Sequence, residues 1–346
     1  MKSSYLRLGL VTIGVILFTS ALGFFALFYW DNTQFEDEQH QIYIKTGWNF
    51  EALQEVLNPH LKSPLLFRWT AQLKGYDQRI RSGYYNIPSG LSSNDLINHL
   101  RRQSQALTIT FNNQERLENL AGRLATVLEA DSLSFLTAMR NPSFLSAKGF
   151  TDTTALAMYL PNSYSFFWDV RPEDFCERMY SEYKRFWTAE RKQLAEEQGL
   201  TPLEVMTLAS IVHKESVKAD ERPAVAGVYL NRLKRRMKLQ ADPTVIYALK
   251  AHYQNFDTII KRVLYKDLKL KSPYNTYRTK GLPPGPIAMP DVSAIRAVLY
   301  PQKHRFLYFV ANPDKPGYHL FARNLREHNR NKQKYVRWIN KQKLFR

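Results

Sequence analysis

The stretch IVHKESVKAD, residues Ile211–Asp220, lies in a long apolar helical pattern that decides how the larger part of this chain folds. It also places one carboxylate, that of Glu215, on this apolar helix. On a helical wheel Glu215 shares a side with Leu208, Ile211 and Val212. Apolar residues continue almost all round this helix, and a helix of that kind is buried in the interior of a domain. The pattern therefore predicts a central buried helix with Glu215 partly inside, near its rim.

Two interpretations of Glu215 follow from this position. Burial disfavours the ionised carboxylate and raises its pKa, and a carboxylic acid that is protonated near neutral pH can donate to a glycosidic oxygen. Alternatively, Lys218 lies three residues further on and could pair with Glu215 as an ordinary solvated ion pair, worth ~0.3 kcal/mol. Spacing alone does not separate a catalytic acid from a surface pair.

Helices are predicted on both sides of this stretch. Thr201 to Glu204 form a capping box with proline at the first helical position, and the helix that they open is predicted to run to about Lys218. Asp220 is predicted to cap the next helix. Further helical patterns precede them at Gln114–Leu128, Ser132–Arg140 and Pro172–Glu197.

The stretch LQADPTVIY, Leu239–Tyr247, follows the second helix and brings the polar groups of Gln240, Asp242 and Thr244 to a helix–helix junction. Pro243 fits the first position of a new helix with Asp242 as its N-cap. This structural role is the preferred prediction for Asp242, with catalysis as the alternative.

Aromatic and polar residues are concentrated in two further segments. YNTYRTKGLPPGP, Tyr274–Pro286, cannot be a helix or a central strand because its prolines remove donors and fix φ, and it begins with amide, hydroxyl and aromatic groups suited to a sugar. LPNSYSFFW, Leu160–Trp168, is predicted to be a loop, either lining a groove or packing in the core. HRFLYFVANP and GYHLFA predict a hairpin, and Leu325–Lys341 a basic helix with a solvated face.

The N-terminal part begins with an apolar segment, Leu8–Trp30, of 23 residues without a formal charge. As a helix it spans ~34 Å, enough to cross a bilayer. Lys2 and Arg7 precede it and acidic residues follow, which predicts a single-pass anchor with the N-terminus in the cytoplasm and the rest outside. A cleaved signal peptide is the alternative, but its apolar region would be shorter, ~7–15 residues.

Two strand–turn–helix patterns, Tyr43–Leu57 and Gly83–Arg102, predict a small α/β module that ends near Gln105. ALTITF, Ala106–Phe111, predicts a strand that enters a larger mixed domain. The predicted fold class is therefore α+β: one transmembrane helix, a small α/β module and a larger domain built around a central buried helix.

Composition narrows the possible partners. The 346 residues carry a formal charge of +18, which favours anionic partners such as nucleic acid, lipid head groups or cell-wall polymer, and a body outside the membrane argues against nucleic acid. The one cysteine, Cys176, allows no intramolecular disulfide. The histidines are scattered and no His-Glu-x-x-His motif exists, so neither a metal site nor a cofactor is predicted.

The segments LASIVHKES, VYLNRL, LQADPTVIY, YNTYRTKGLPPGPIAMP and EHN, in this order, resemble the membrane-anchored endolytic murein transglycosylases, the MltG or YceG-like family. The resemblance runs from about Tyr43 to Asn329 and makes the N-terminal module similar to a LysM-like glycan-binding domain. It implies five regions: a cytoplasmic N-terminus, a transmembrane helix, a stalk, a LysM-like module and a YceG-like catalytic domain. Their predicted bounds are 1–7, 8–30, 31–41, 42–105 and 106–346.

The resemblance also implies an activity. Glu215 would be the single acid/base that cleaves the bond between N-acetylmuramic acid and N-acetylglucosamine inside glycan strands of peptidoglycan, leaving 1,6-anhydromuramyl ends and so trimming or ending nascent strands. Peptidoglycan synthases and the inner membrane are its implied partners, with no cofactor and no metal. The predicted substrate-binding residues are Ser216, Gln240, Asp242, Thr244, Tyr247, Tyr274, Asn275, Thr276, Tyr277 and Tyr164.

Two positions depart from the family pattern. Where the family commonly has two glutamates, this chain has His213 and Glu215, so Glu215 must supply the carboxylate if the chain is active. We expect His213, on the far side of the wheel, to be structural. Asn162 replaces a family aspartate, which puts any charge-dependent role there in doubt. The alternatives to a transglycosylase are a hydrolase that uses Glu215 with Asp242, and an inactive wall-binding scaffold.

Overall fold

The structure, a computed structural model, describes residues 2–35, 37, 39–102 and 104–341. Glu36 and Glu38 of the predicted stalk, Gln103 of the predicted module and residues 342–346 of the predicted catalytic domain lie outside the described residues, as does Met1. Contacts within the chain divide it into two compact units. The first contains residues up to Ile109 with Val127–Ala130 and Tyr164–Val170, and the second contains the remainder.

The first unit begins with α1, Lys2–Tyr29, the predicted apolar helix. Its segment Gly9–Ala26 has a mean hydropathy of 2.1, and none of that segment is buried against the protein. Length and composition therefore allow α1 to cross a membrane, as the sequence predicts.

A two-stranded sheet and three α-helices follow α1 in the first unit. The strands β1, Gln39–Ile44, and β2, Gly83–Pro88, pair antiparallel, with Gln39 opposite Pro88 and Ile44 opposite Gly83. Both predicted strand–turn–helix patterns are confirmed, and the Ser92 side chain caps the helix of the second pattern. The middle helix, which begins with a Ser63 cap and a proline at its start, was not predicted from the sequence. The helices are α2, Phe50–Leu57, α3, Pro64–Leu73, and α4, Ser93–Arg101.

The chain then forms a second two-stranded sheet from β3, Ala106–Phe111, and β4, Asn162–Phe167. β3 is the predicted strand, but the loop predicted at residues 160–168 is wrong because β4 occupies most of it. The side chains of β4 alternate, with Tyr164 and Phe166 buried and their neighbours exposed. This period of two was present in the sequence, where the density of aromatic and turn-forming residues obscured it.

The second unit is mainly helical. The pattern predicted as one helix over residues 172–197 forms two, because the backbone turns at Trp187 and Thr188 caps a new helix. Short 3₁₀ helices span Asn58–His60 in the first unit, and Ala155–Met158 and Asp267–Lys269 in the second. The α-helices of the second unit that precede residue 200 are α5, Leu117–Ala125, α6, Ser132–Met139, α7, Pro142–Ala147, α8, Pro172–Phe186, and α9, Ala189–Glu197.

The central helix α10, Pro202–Glu215, is confirmed as buried, with every residue from Val205 to Val212 inside the protein. Its predicted capping box is present. The helix ends at Glu215 rather than Lys218 because Ser216 is extended, and the Ser216 hydroxyl accepts the N–H of Lys218 at 3.2 Å. Glu215 is therefore the last residue of a rigid helix.

α10 packs mainly against α11, Arg222–Lys234, α12, Asp242–His252, and α13, Val292–Leu299, and it also contacts α9 and the 3₁₀ helix Ala155–Met158. The residue at the N-cap of α11 is Glu221, without a side-chain cap bond, so the prediction that Asp220 caps this helix is wrong. The predicted hairpin is confirmed as β5, Tyr308–Ala311, with β6, His319–Ala322, and α14, Leu325–Lys341, packs on both strands.

The proline-rich segment 274–286 is irregular, as predicted, and it leads directly onto the central helix. The N–H of Ile287 donates to the Ser210 hydroxyl of α10 at 3.0 Å in the buried core. Gly285 comes so close to other backbone that an added Cβ would lie 1.9 Å from the carbonyl oxygen of Thr153. The position tolerates no side chain unless one of the two backbone segments moves.

We expect Gly285→Ala to destabilise the protein by about 1–3 kcal/mol, the usual cost of overpacking, because the methyl group meets backbone rather than a flexible side chain. Gly122→Ala is the matched control: Gly122 lies in α5 with open space around its Cβ position, and alanine there favours the helix. The melting temperatures of both variants, measured by thermal unfolding, test this expectation. Equal melting temperatures for Gly285→Ala and the wild type would contradict the close approach.

Candidate active site

A pocket of about 480 Å³ opens beside the end of α10. This volume lies within the usual range of ligand sites, roughly 300–1,000 Å³. Its wall is formed, within the second unit, by α10, α11, the turn before α12 with the first residue of α12, the YNTY segment (residues 274–277), and the hairpin with the start of α14. The residues that line it are Glu215, Tyr229, Arg232, Leu239, Gln240, Asp242, Tyr277, Tyr308, Phe309, Val310, Ala311, His319, Leu325 and His328.

Glu215 lies at the wall of this pocket and is half-buried. Leu208, Ile211 and Val212, the three residues that share its side of α10, have no exposed surface. The position predicted for the Glu215 carboxylate from the helical wheel, at the rim of a buried face, is therefore confirmed. No ion pair joins Glu215 to Lys218 in the described part of the chain, so the alternative interpretation of a surface pair finds no support.

The surroundings of Glu215 raise the pKa of its carboxyl group to about 7. Burial is the main cause, and the negative charge of Asp242 adds to it. His319, the hydrogen bond from Tyr229 and the charge of Arg232 act in the opposite direction and limit the rise in pKa. A carboxyl group with this pKa is substantially protonated at neutral pH and can donate a proton.

Tyr229 holds the Glu215 carboxylate. Its hydroxyl donates to Oε2 of Glu215 at 3.2 Å, and the residue, which lies on α11, is 99% buried. Burial raises the pKa of the Tyr229 hydroxyl well above its ordinary value, and so do the negative charge of Glu215 and the hydrogen bond to it. Tyr229 therefore acts as a fixed donor that orients Glu215.

Arg232 follows Tyr229 by one helical turn and brings a buried cation to the same pocket. Its Nε donates to the carbonyl oxygen of Leu307 at 2.6 Å, and its guanidinium lies 5.0 Å from the centre of the Tyr308 ring. Tyr229 and Arg232 both lie in the segment VYLNRL, and neither was predicted from the sequence to have a role in the site. Their spacing of three residues, which sets them on one helix face, was the available signal.

His319, the first residue of β6, is a further pocket residue that the sequence analysis missed. Its Nδ1 lies 2.7 Å from Oε2 of Glu221, and its backbone N–H donates to Oε1 of the same carboxylate at 2.7 Å. The Ser216 hydroxyl also donates to Glu221, at 3.2 Å. Glu221 thus fixes the hairpin to the start of α11 and turns His319 toward the pocket. Nothing in the sequence linked these residues, which are 98 positions apart.

Asp242 lines the pocket but does not cap α12, so its predicted structural role is wrong. The N-cap is Ala241, and no side chain makes a cap bond there. The Asp242 carboxylate instead accepts the Tyr277 hydroxyl at 2.6 Å. The backbone positions Asp242 one residue too late to cap, because the hydrogen bonds between the preceding turn and the YNTY segment fix where the helix starts.

The residues that link the turn before α12 to the YNTY segment already use their polar groups in hydrogen bonds with other protein atoms. The Thr276 hydroxyl accepts the N–H of Ala241 at 3.0 Å and lies 2.8 Å from the Thr244 hydroxyl. The Asn275 amide donates to the carbonyl oxygens of Leu268 and Leu270. Of the predicted substrate-binding residues, Ser216, Thr244, Asn275 and Thr276 are buried in this way.

Gln240 lies in the pocket with a left-handed backbone, φ 51°, which is uncommon for a residue other than glycine. Its N–H donates to the carbonyl oxygen of Thr276, and its Oε1 accepts from Arg232 at 3.1 Å. Strained backbone of this kind is frequent at ligand sites. The structure thus brings Glu215, Gln240, Asp242 and Tyr277 together, out of all the predicted site residues.

Three predicted tyrosines lie elsewhere. Tyr247 and Tyr274 pack against each other with ring centres 4.7 Å apart, and Tyr247 also contacts Phe256. Neither lines the pocket of Glu215. Tyr164 is buried in β4 and belongs to the first unit.

The two positions that depart from the family pattern also lie outside the pocket. Nδ1 of His213 lies 3.2 Å from the Asp291 carboxylate and 3.5 Å from the guanidinium of Arg222. These contacts agree with the expected structural role. Asn162 is exposed at the start of β4, where its side chain accepts the N–H of Ser163 at 2.8 Å. Among the described residues, no three His, Cys, Asp or Glu side chains converge as a metal site would require.

Three comparisons relate this chain to known proteins. The model of the YceG-like family matches residues 42–334. An endolytic murein transglycosylase of Bacillus subtilis is 31% identical over 314 residues, which cover 85% of this chain and 84% of the relative. One from Streptococcus pneumoniae is 29% identical over 80% of this chain, which spans only 54% of that longer relative. A crystal structure of a YceG-like protein from Listeria monocytogenes matches 85% of the chain and 98% of its own, with a TM-score of 0.56 and 25% identity.

Proposed function

The chain belongs to the YceG-like family, and from this premise we propose that it is an endolytic murein transglycosylase. Its substrate is the glycan of peptidoglycan, cut inside strands between N-acetylmuramic acid and N-acetylglucosamine. The observation that carries the proposal is the half-buried Glu215, whose pKa is raised to about 7 at the wall of a pocket of about 480 Å³.

The proposed reaction needs only this one carboxyl group. Protonated Glu215 gives its proton to the glycosidic oxygen, the bond from that oxygen to C1 of the muramyl residue breaks, and the glucosamine leaves with a new hydroxyl group. The C6 hydroxyl of the same muramyl residue then bonds to C1 and returns its proton to Glu215. The product is a 1,6-anhydromuramyl end, and no water is consumed. Because the nucleophile is part of the substrate, proximity replaces a second carboxylate.

The neighbours of Glu215 take supporting roles in this reaction. Tyr229 orients the acid through its 3.2 Å hydrogen bond, and Asp242 keeps it protonated by charge repulsion. The negative carboxylate of Asp242 also stabilises the positive charge that develops at C1, and the hydrogen bond from Tyr277 holds that carboxylate in place. Gln240 and Tyr277 present their polar groups to the sugars. Ser216, Thr244, Asn275 and Thr276 act by holding the pocket wall, because protein atoms already use their hydrogen bonds.

Tyr247 and Tyr274 stay in the proposal as contacts of a longer strand outside the pocket, and Tyr164 as a glycan contact within the first unit. We assign the chain the five regions with bounds at 1–7, 8–30, 31–41, 42–105 and 106–346. In this arrangement the LysM-like module binds glycan, α1 crosses the inner membrane once with the N-terminus in the cytoplasm, and the catalytic domain works on the outer, periplasmic side. The apolar, unburied segment of α1 supports the anchor. A position beside nascent glycan suits an enzyme that ends strands as peptidoglycan synthases make them.

Digestion of purified murein by the full-length chain in detergent tests the function. We expect long fragments first, as internal cleavage gives, and mass spectrometry should find anhydromuramyl ends, lighter by one water than reducing ends.

A second candidate, a hydrolase that pairs Glu215 with Asp242, is favoured by the one observation that both carboxylates line the pocket. Reducing ends would establish the hydrolase, and glycan that is bound but never cut would establish a wall-binding scaffold.

A further inference from the structure

Arg232 is a cation at the wall of the pocket that the proposed reaction does not use. Its residue surface is 93% buried, and Tyr308 covers one face of the guanidinium at 5.0 Å. Nε donates to Leu307 O at 2.6 Å, and Nη1 donates to Lys238 O at 3.1 Å, to Leu239 O at 2.8 Å and to Gln240 Oε1 at 3.1 Å. All four acceptors are neutral.

The third nitrogen, Nη2, donates to no protein oxygen among the described residues, and it is not one of the buried side-chain atoms that lack both a partner and solvent. Since Arg232 lines the pocket, Nη2 is the part of the guanidinium left for a ligand. The bonds to Nε and Nη1 fix the plane of the group, so Nη2 presents its two N–H donors from a rigid position.

The charge of Arg232 lacks a carboxylate partner. No acidic side chain of the described residues forms an ion pair with it, and burial lowers the pKa of its guanidinium. A guanidinium remains protonated nonetheless, so the pocket contains a desolvated positive charge. Glu215 lies near enough to interact with it, but Glu215 is neutral in the form that donates a proton. The state that is ready to react therefore has an uncompensated cation.

Other charged groups face the same pocket. The Asp242 carboxylate would repel an anion, but it accepts the Tyr277 hydroxyl on the α12 side of the pocket. His319 and His328 lie on the hairpin and α14 side, where burial lowers the pKa of His328 and keeps it neutral at pH 7. An anionic group would therefore be attracted to the wall that Arg232 forms with the hairpin.

We infer that Arg232 is an anion subsite, and that Nη2 binds a carboxylate carried by the lactyl arm of the muramyl residue beside the scissile bond. The inference rests on the proposed function. The carboxylate has two sources: the lactyl group itself where a strand carries no peptide, and the acidic residues of the stem peptide where it does. Either would neutralise Arg232 and place the muramyl residue, rather than the glucosamine, on the donor side of Glu215.

The test compares kcat/KM of the full-length wild-type chain on matched strands: peptide-free strands, the same strands with the lactyl carboxylate methylated to an ester, strands with stem peptides, and stems with amidated carboxylates. We expect the free acid, the free stems or both to be cleaved about 10- to 100-fold better than the neutral counterparts, the usual range for a hydrogen bond to a charged group. The pair that shows the difference identifies the source. Equal kcat/KM within both pairs would overturn the inference, whereas no cleavage of any strand would overturn the proposed function.

Arg232→Gln provides the matching change in the protein. It should raise KM more than it lowers kcat and should bring the ratio between charged and neutral strands to about one, while Arg232→Lys keeps part of that ratio. Arg235→Gln is the control, because it removes the same charge from an exposed position of the same helix end outside the pocket, and it should keep the full ratio. A full ratio in Arg232→Gln would overturn the assignment. If Arg232→Gln fails to fold, the comparison of strands in the wild type still decides.

Discussion

Glu215→Gln should lower the rate of strand cleavage by about 10³-fold or more. General acid–base catalysis typically contributes about 10²–10⁴-fold, and here one side chain serves both proton transfers. Glutamine keeps the shape and can still accept the Tyr229 hydroxyl, so it removes the proton and little else. The release of anhydromuramyl ends from purified murein measures the loss. Cleavage by Glu215→Gln at the wild-type rate would show that another group is the acid.

Two controls separate lost chemistry from lost structure. Glu196→Gln, an exposed change on α9, should leave the activity unchanged. The stability of Glu215→Gln should also follow pH in a defined direction. The pKa of Glu215 is about 7 in the folded state and about 4.5 when unfolded, so the folded state binds more protons between these values and the wild type loses stability as pH rises through them. As pH rises from 4.5 to 7, the melting temperature of Glu215→Gln should therefore rise relative to that of the wild type.

The central helix was predictable because its signals are local. The capping box at Thr201 and the continuous apolar surface of α10 depend on residues within a few turns of one another, and the position of Glu215 follows from them. The same holds for the basic C-terminal helix and the hairpin before it, each recognisable by its own period. Local periodicity failed for β4, where alternation competed with a dense run of aromatic residues.

The partners of Glu215 were less predictable because they depend on contacts that are distant in the sequence. Asp242 looked like a helix cap from its proline, but the bond between the Thr276 hydroxyl and the N–H of Ala241 starts the helix one residue earlier. His319 reaches the pocket only because Glu221 holds the hairpin, across 98 positions. Polar residues with sugar-binding chemistry, such as Asn275, proved to be consumed by internal hydrogen bonds, which no pattern of residue types reveals.

The pH dependence of cleavage should have its alkaline midpoint near pH 7, because kcat/KM follows the protonated fraction of Glu215 in the free enzyme. Above that midpoint the fraction falls about tenfold for each pH unit, so cleavage at pH 9 should be about 100-fold slower than the plateau below pH 6. The profile must be measured on one substrate at constant ionic strength, since a change in salt would change the screening of the charges that act on Glu215. A profile that stays flat from pH 6 to 9 would contradict the raised pKa.

Asp242→Asn and Tyr229→Phe should move this midpoint in opposite directions. Asp242→Asn removes the negative charge that helps to keep the proton on Glu215, so the midpoint should shift to lower pH. Tyr229→Phe removes a hydrogen bond that lowers the pKa of Glu215, so the midpoint should shift to higher pH. Opposite shifts cannot come from general damage to the pocket, which would lower the plateau and leave the midpoint in place. The same midpoint in all three proteins would mean that the titrating group in the profile is not Glu215, and the assignment of the acid would then rest on Glu215→Gln alone.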